Sequence, residues 1–150
     1  MAQEKTRILI VDDDRGITGS LSMVLQSEGY QTDVAHTIKE AKEKSNENDY
    51  DLAILDIKLP DGEGTSLLKA LSNTSPKIMK IMLTGYPMLR NAVDSVNEGA
   101  DAYLIKPVDV ERLLETIKSK IEKRKAAETV TEDSISVFLQ TRTKQLLTEE

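Results

Sequence analysis

The chain contains no cysteine, no tryptophan, one phenylalanine and one histidine in 150 residues. Without cysteine there is no disulfide, no thiol nucleophile and no cysteine-ligated zinc. With aromatics at 3%, the core must be filled by Leu, Ile, Val, Met and Ala. The single histidine, His36, follows a weakly apolar stretch and reads as a surface residue, so a histidine base or a phosphohistidine has no support. No apolar run approaches the about 18 residues of a membrane span, and Met1 to Thr6 lacks the apolar core of a secretion signal. A cytoplasmic protein without membrane contact is expected. The net charge of -6 argues against nucleic-acid binding by the surface at large.

What remains is an ordinary globular composition, 39% hydrophobic and 31% charged, of a length that suits one domain with an appendage. Five short apolar runs alternate with helical patterns. Arg7 to Val11 is the first and ends in Asp12-Asp13-Asp14. Ile17, Leu21, Val24 and Leu25 then follow at helical spacing, and Gly29 ends that helix. Gln31 to Ala35 alternates weakly, as an edge strand does. Thr37 caps a second helix running to about Ser45, and Leu52 to Leu55 is a continuous apolar run of the kind buried on both faces of a parallel sheet. It ends in Asp56 and a turn through Pro60, Gly62 and Gly64. A third helix carries Leu67, Leu68 and Leu71, with Thr65 or Ser66 as its cap. Ile78 to Leu83 ends in Thr84-Gly85. A helix opening at Pro87 carries Ala92, Val93 and Val96 and stops near Gly99. Ala102 to Ile105 ends in Lys106-Pro107, and Asp109 caps a helix with Leu113, Leu114, Ile117 and Ile121 inward. Repeated strand–helix alternation means a parallel sheet with helices on both faces.

The last stretch breaks this rhythm. Lys123-Arg124-Lys125 reads as a solvated helix face, and six basic residues balance six acidic ones from Lys120 to Glu150, so no nucleic-acid tail is evident. Thr131-Glu132-Asp133 looks like a new helix start. Ile135, Phe138, Leu139 and Leu146 form a partial apolar stripe, too small for a core of its own.

The strand ends of a parallel sheet converge, and in open α/β sheets ligands bind there. This gathers Asp12, Asp13, Asp14, Asp56, Thr84 and Lys106. Asp14 is set apart as a helix cap. The other carboxylates repel by several kcal/mol unless a cation intervenes. Oxygen ligands without His or Cys suit a hard ion such as Mg²⁺, which leaves coordination positions for phosphate oxygens. Asp56 is then a candidate nucleophile that yields an acyl phosphate, with Lys106 and Thr84 available for the phosphoryl oxygens.

In these motifs the chain resembles the receiver domains of two-component response regulators. It shares the acidic pair Asp12-Asp13, the D-x-x-x-P-x-x-x-G pattern of Asp56, Pro60 and Gly64, the Thr84-Gly85 step and the aromatic-x-x-Lys-Pro signature from Tyr103 to Pro107. The resemblance implies a flavodoxin-like (CheY-like), doubly wound five-stranded parallel sheet of order 2-1-3-4-5 with a C-terminal helical extension. Residues 1–122 would be the receiver, and 123–150 an extension or the start of a truncated output region. Asp56 would accept a phosphoryl group from a histidine kinase or phosphotransfer protein. Asp13, Asp12, Asp56 and the backbone carbonyl of Lys58 would hold Mg²⁺. Lys106 would pair with the carboxylate and then the phosphoryl. Thr84 and Tyr103 would form the switch, and the Lys106-Pro107 bond would be cis.

The repacked surface of the fourth helix, fifth strand and fifth helix would address a downstream partner or an output domain, and a homodimer would form through that surface or through the C-terminal extension. Gly85 replaces a commoner alanine, and Lys58 and Tyr86 stand where the family tunes phosphoryl lifetime. Two other functions are weighed. An aspartyl-phosphate phosphatase needs a second acid two residues after the nucleophile, where this chain has Lys58. A flavin-binding module needs a Ser/Thr/Gly-rich loop after the first strand, where this chain has acids.

Overall fold

The computed structural model describes residues 5–74, 78–85 and 99–126. The helix expected from Pro87 to near Gly99, Tyr86 and the stripe from Ile135 to Leu146 lie outside the described residues. Strands β1 (Arg7–Val11), β2 (Gln31–Ala35), β3 (Leu52–Leu55), β6 (Met79–Thr84) and β7 (Ala102–Ile105) form one parallel sheet in the order β2-β1-β3-β6-β7. Two further strands, β4 (Lys58–Leu59) and β5 (Gly62–Glu63), make a small antiparallel hairpin. Setting that hairpin aside, the order is the 2-1-3-4-5 expected of a flavodoxin-like sheet. Register runs level across the sheet, with Val11 opposite Leu55 and Leu55 opposite Met82.

Alternation along the central strands divides the core in two. Leu9, Val11, Ala53, Leu55 and Met82 point to one face, where α2 (Ile38–Glu47) and α3 (Thr65–Thr74) contribute Ile38, Ala41, Leu67, Leu68 and Leu71. Ile8, Ile10, Leu52, Ile54 and Ile81 point to the other, where α1 (Arg15–Ser27) brings Leu25 and the C-terminal helix (110–126) brings Leu113, Ile117 and Ile121. Burial of a Leu or Ile side chain contributes about 1.5–3 kcal/mol each, so two full layers are needed to hold a sheet covered on both sides.

The ends of the elements follow local chemistry in most places. The Asp14 carboxylate accepts from the Gly16 and Ile17 amides and caps α1, and Thr37 accepts from the Glu40 amide and caps α2. Gly29 takes a φ of 92°, as a helix-terminating glycine does. Helix α3 differs from expectation. Neither Thr65 nor Ser66 caps it; the helix opens at Thr65, Gly64 precedes it, and the Ser66 hydroxyl donates to the Glu63 carbonyl.

Two expected surface groups are also partly enclosed. His36 is half-buried, with its ring nitrogen 3.3 Å from the Thr18 hydroxyl. Arg124 turns back from the solvated run to pair with Asp51 at 3.0 Å. Asp51 in turn accepts from the Arg7 amide, and Arg7 pairs with Asp33, whose carboxylate also accepts from the Tyr50 hydroxyl. These bonds tie the C-terminal helix to the end of the sheet opposite Asp56. The helix continues unbroken past residue 122.

Lys80 is buried in β6, its ammonium donating to the Ile78 carbonyl. Burial pushes its pKa below the ordinary value, opposed in part by Asp101. The unfolded chain therefore keeps this proton to higher pH than the folded one. The penalty is fully present below the folded pKa and fades as pH rises to the unfolded value of about 10.5. Lys80→Met is expected to raise Tm at neutral pH, with a gain that shrinks toward pH of about 10.5. Melting curves across that range check it, and a gain independent of pH contradicts it.

Candidate phosphoacceptor site

Level register brings the carboxyl ends of β1, β3, β6 and β7 side by side. The Asp56 amide donates to the Val11 carbonyl at 2.9 Å, and the Lys106 amide to the Thr84 carbonyl at 2.8 Å. Each expected side chain is thus placed by the residue that ends its strand. Asp12 and Asp56 are buried at 4% and 6% exposure, Thr84 is fully buried, and Asp13 is exposed. Carboxylate oxygens of Asp12, Asp13 and Asp56 lie within 4.8 Å of one another.

Lys106 reaches across this group from β7. Its ammonium donates to Asp12 Oδ2 at 2.5 Å and to Asp56 Oδ2 at 3.2 Å. Burial alone would lower the Lys106 pKa, but the bond to Asp12 and the charges of Asp56 and Asp12 outweigh it and hold the pKa above the ordinary value. The lysine therefore stays protonated. The second oxygen of Asp12 accepts from the Asp14 amide at 2.9 Å, which fixes the carboxylate between two donors. Asp56 Oδ1, by contrast, is buried without a hydrogen-bond partner.

A buried acceptor left unsatisfied costs about 1–3 kcal/mol, more when charged. Three carboxylates face one ammonium among the described residues. An oxygen-only donor set, an excess of negative charge and an orphaned buried oxygen together fit a divalent cation and an incoming phosphoryl group.

Tyr103 is half-buried on β7, and both burial and the negative charge of Asp56 raise its pKa. Lys58 is exposed on β4, and the Lys106-Pro107 peptide is cis. Asp14 caps α1 and is not among the clustered ligand oxygens.

The loop after Asp56 folds back on its own start. The Gly64 amide donates to the Ile57 carbonyl at 2.5 Å, and a Cβ on Gly64 would stand 1.8 Å from the Asp56 carbonyl oxygen. That close approach is the physical reason for a glycine eight residues after the acid. Sequence reasoning missed Asp61. Its carboxylate accepts from the Ile38 amide at 2.8 Å and the Lys39 amide at 3.1 Å, at the start of α2. Those bonds hold its pKa below the usual carboxylate range. The partners lie more than twenty residues away, so no local pattern announces them.

Residues 8–118 match the family model described as "Response regulator receiver domain". The chain belongs to this family. Receiver domains are the phosphorylation-dependent switches of two-component systems, and that is the class of function of this chain. The receiver is 32% identical over 139 residues to the transcriptional regulatory protein ZraR of Klebsiella oxytoca, covering 92% of this chain and 31% of that protein. It thus spans under a third of that relative's length. Among solved structures, a CheY-like receiver domain protein from Methanospirillum hungatei is 46% identical with a TM-score of 0.81, covering 83% of this chain and 99% of its own. The beryllofluoride-activated NtrC4 receiver domain dimer is 40% identical with a TM-score of 0.75, covering 79% and 98%. A response regulator from Burkholderia pseudomallei with a phosphorylated aspartic acid, calcium ion and citrate is 30% identical with a TM-score of 0.73, covering 85% and 75%.

Gly64→Ala in this receiver is expected to lower stability by on the order of 1–3 kcal/mol, because the backbone itself must move to admit the methyl group. Denaturant unfolding checks it, and a variant as stable as the parent contradicts the close approach.

Proposed function

We propose that Asp56 is the phosphoacceptor and that a histidine kinase or phosphotransfer protein is the donor. The observation that carries this reading is the orphaned buried oxygen of Asp56 beside a protonated Lys106. A carboxylate oxygen of Asp56 forms a P–O bond as the P–N bond to the donor imidazole breaks. The imidazole leaves with the bonding pair and takes up a proton. Lys106 faces the negative charge that develops on the phosphoryl oxygens, and it is already held in place by Asp12. Asp13, Asp12, Asp56 and the Lys58 carbonyl would hold Mg²⁺, the hard cation that an oxygen-only donor set and a phosphoryl group suit. The cation would neutralise phosphoryl charge and orient the donor in line.

After transfer, Thr84 donates to a phosphoryl oxygen and Tyr103 moves into the space Thr84 leaves. Tyr103 already lies within the field of Asp56, which supports this coupling. The surface that changes is the exposed side of β7 and the start of the C-terminal helix, where Ile105 and Val110 stand open to solvent at 51% and 44%. A downstream protein, an output domain or a second copy of the chain would read it, as the dimeric NtrC4 neighbour suggests. Residues 1–122 act as the receiver and 123–150 as an extension or the start of an output region. No helix among the described residues is long and apolar enough to cross a membrane, and a cytoplasmic location is proposed. Lys58 replaces the second acid of phosphatases, so turnover of an outside phosphate ester is not expected.

Incubation with a small acyl-phosphate donor and Mg²⁺ is expected to add a single phosphoryl mass increment that Asp56→Asn abolishes. An increment that survives in Asp56→Asn sinks the assignment. Mg²⁺ is also expected to raise Tm, by about 2.7 kcal/mol of added stability at a hundredfold excess over Kd. Asp13→Asn should blunt that response. A melting curve indifferent to millimolar Mg²⁺ would count against the cation.

A further inference from the structure

The loop from Ile57 to Gly64 carries the one proposed metal ligand that is not a side chain, the Lys58 carbonyl. Its position depends on what holds the loop. The hairpin β4–β5 pairs only Lys58 with Glu63 and Leu59 with Gly62. A hairpin this short is not stable by itself. At its base the Gly64 amide closes onto Ile57, and Ile57 and Leu59 are buried in the core beneath α2 and α3. At its tip the tether is Asp61, whose two carboxylate oxygens take the Ile38 and Lys39 amides. Gly62, at φ 144°, then turns the chain within van der Waals reach of Ile38, since a Cβ there would lie 3.0 Å from its Cδ1.

Helix α2 already has a cap of its own. Thr37 accepts from the Glu40 amide at 3.0 Å, and this bond does not involve the loop. The two bonds from Asp61 satisfy different amides and join the loop to the helix. An ion-assisted pair of this kind is stronger than a neutral cap.

We infer that Asp61 is a positioning residue for the phosphoacceptor loop: by clasping the first turn of α2 it holds the Lys58 carbonyl where the cation binds beside Asp56. The inference rests on the receiver reading above. Binding of the cation and closure of the clasp favour the same loop geometry, so each strengthens the other.

The test compares Mg²⁺ affinity, by calorimetry on the full chain, for Asp61→Ala, Asp61→Asn and Thr37→Ala beside the parent. Both alanine variants weaken the start of α2 and should lower Tm to similar extents. Asp61→Ala is expected to weaken Mg²⁺ binding about tenfold, the lower range for groups that support a metal ligand. Asp61→Asn, which keeps one acceptor oxygen, should fall between. Thr37→Ala should stay within about twofold of the parent, because its lost bond is internal to the helix. Parent-like affinity in Asp61→Ala overturns the inference and leaves the receiver reading intact. Equal weakening in Asp61→Ala and Thr37→Ala also overturns it, in favour of general loosening of α2. A parent chain that binds no Mg²⁺ overturns both.

Discussion

The structure depends on an unequal meeting of charges. Three carboxylates converge at the ends of β1 and β3, and one lysine from β7 spans two of them. Like charges at such distances are tolerated only with compensation, and Lys106 supplies part of it. It does not reach Asp13, and one buried oxygen of Asp56 is left without a hydrogen-bond partner. The rest of the fold can be understood as the means of holding this imbalance in place. Two apolar layers bury the sheet on both sides, level register aligns the strand ends, and Asp14 and Thr84 anchor the flanking backbone.

The two ends of the sheet are built differently. The carboxyl end leaves polar capacity open, with an orphaned acceptor and a clasped loop. At the opposite end the polar groups meet one another. Arg7 pairs with Asp33 and stands over the Tyr50 ring, Tyr50 donates to Asp33, and Asp51 receives both Arg7 and Arg124. Burial and the bond to Asp33 raise the Tyr50 pKa, so this hydroxyl stays a donor. The closed end gives rigidity and fixes the C-terminal helix, while the open end is left free to respond to a ligand.

Much of this was legible without coordinates wherever a signal acts over a few residues. Asp14 and Thr37 declare helix starts because a short polar side chain reaches its own helix amides. Gly29 declares a helix end because only glycine adopts that φ cheaply. The continuous run Leu52 to Leu55 declares a strand buried on both faces. The same local reading failed at Ser66, whose hydroxyl turns back to Glu63, and at Arg124, whose partner Asp51 is 73 residues away. It also failed at His36, half-buried in the turn between β2 and α2 beside the Thr18 hydroxyl of α1.

The sequence by itself determined the alternation of elements, the class of sheet and the identity of the acidic, hydroxyl and lysine residues at the strand ends. Periodicity, capping and motif spacing are short-range and survive in one dimension. Only the tertiary structure decided which oxygen of Asp56 is left without a partner, that Asp12 shares Lys106, that Gly64 lies against the Asp56 carbonyl and that Asp61 clasps α2. The bonds of Lys106 to Asp12 and of Asp61 to α2 join segments far apart along the chain, brought together by the packing of the two apolar layers, and no local pattern records them.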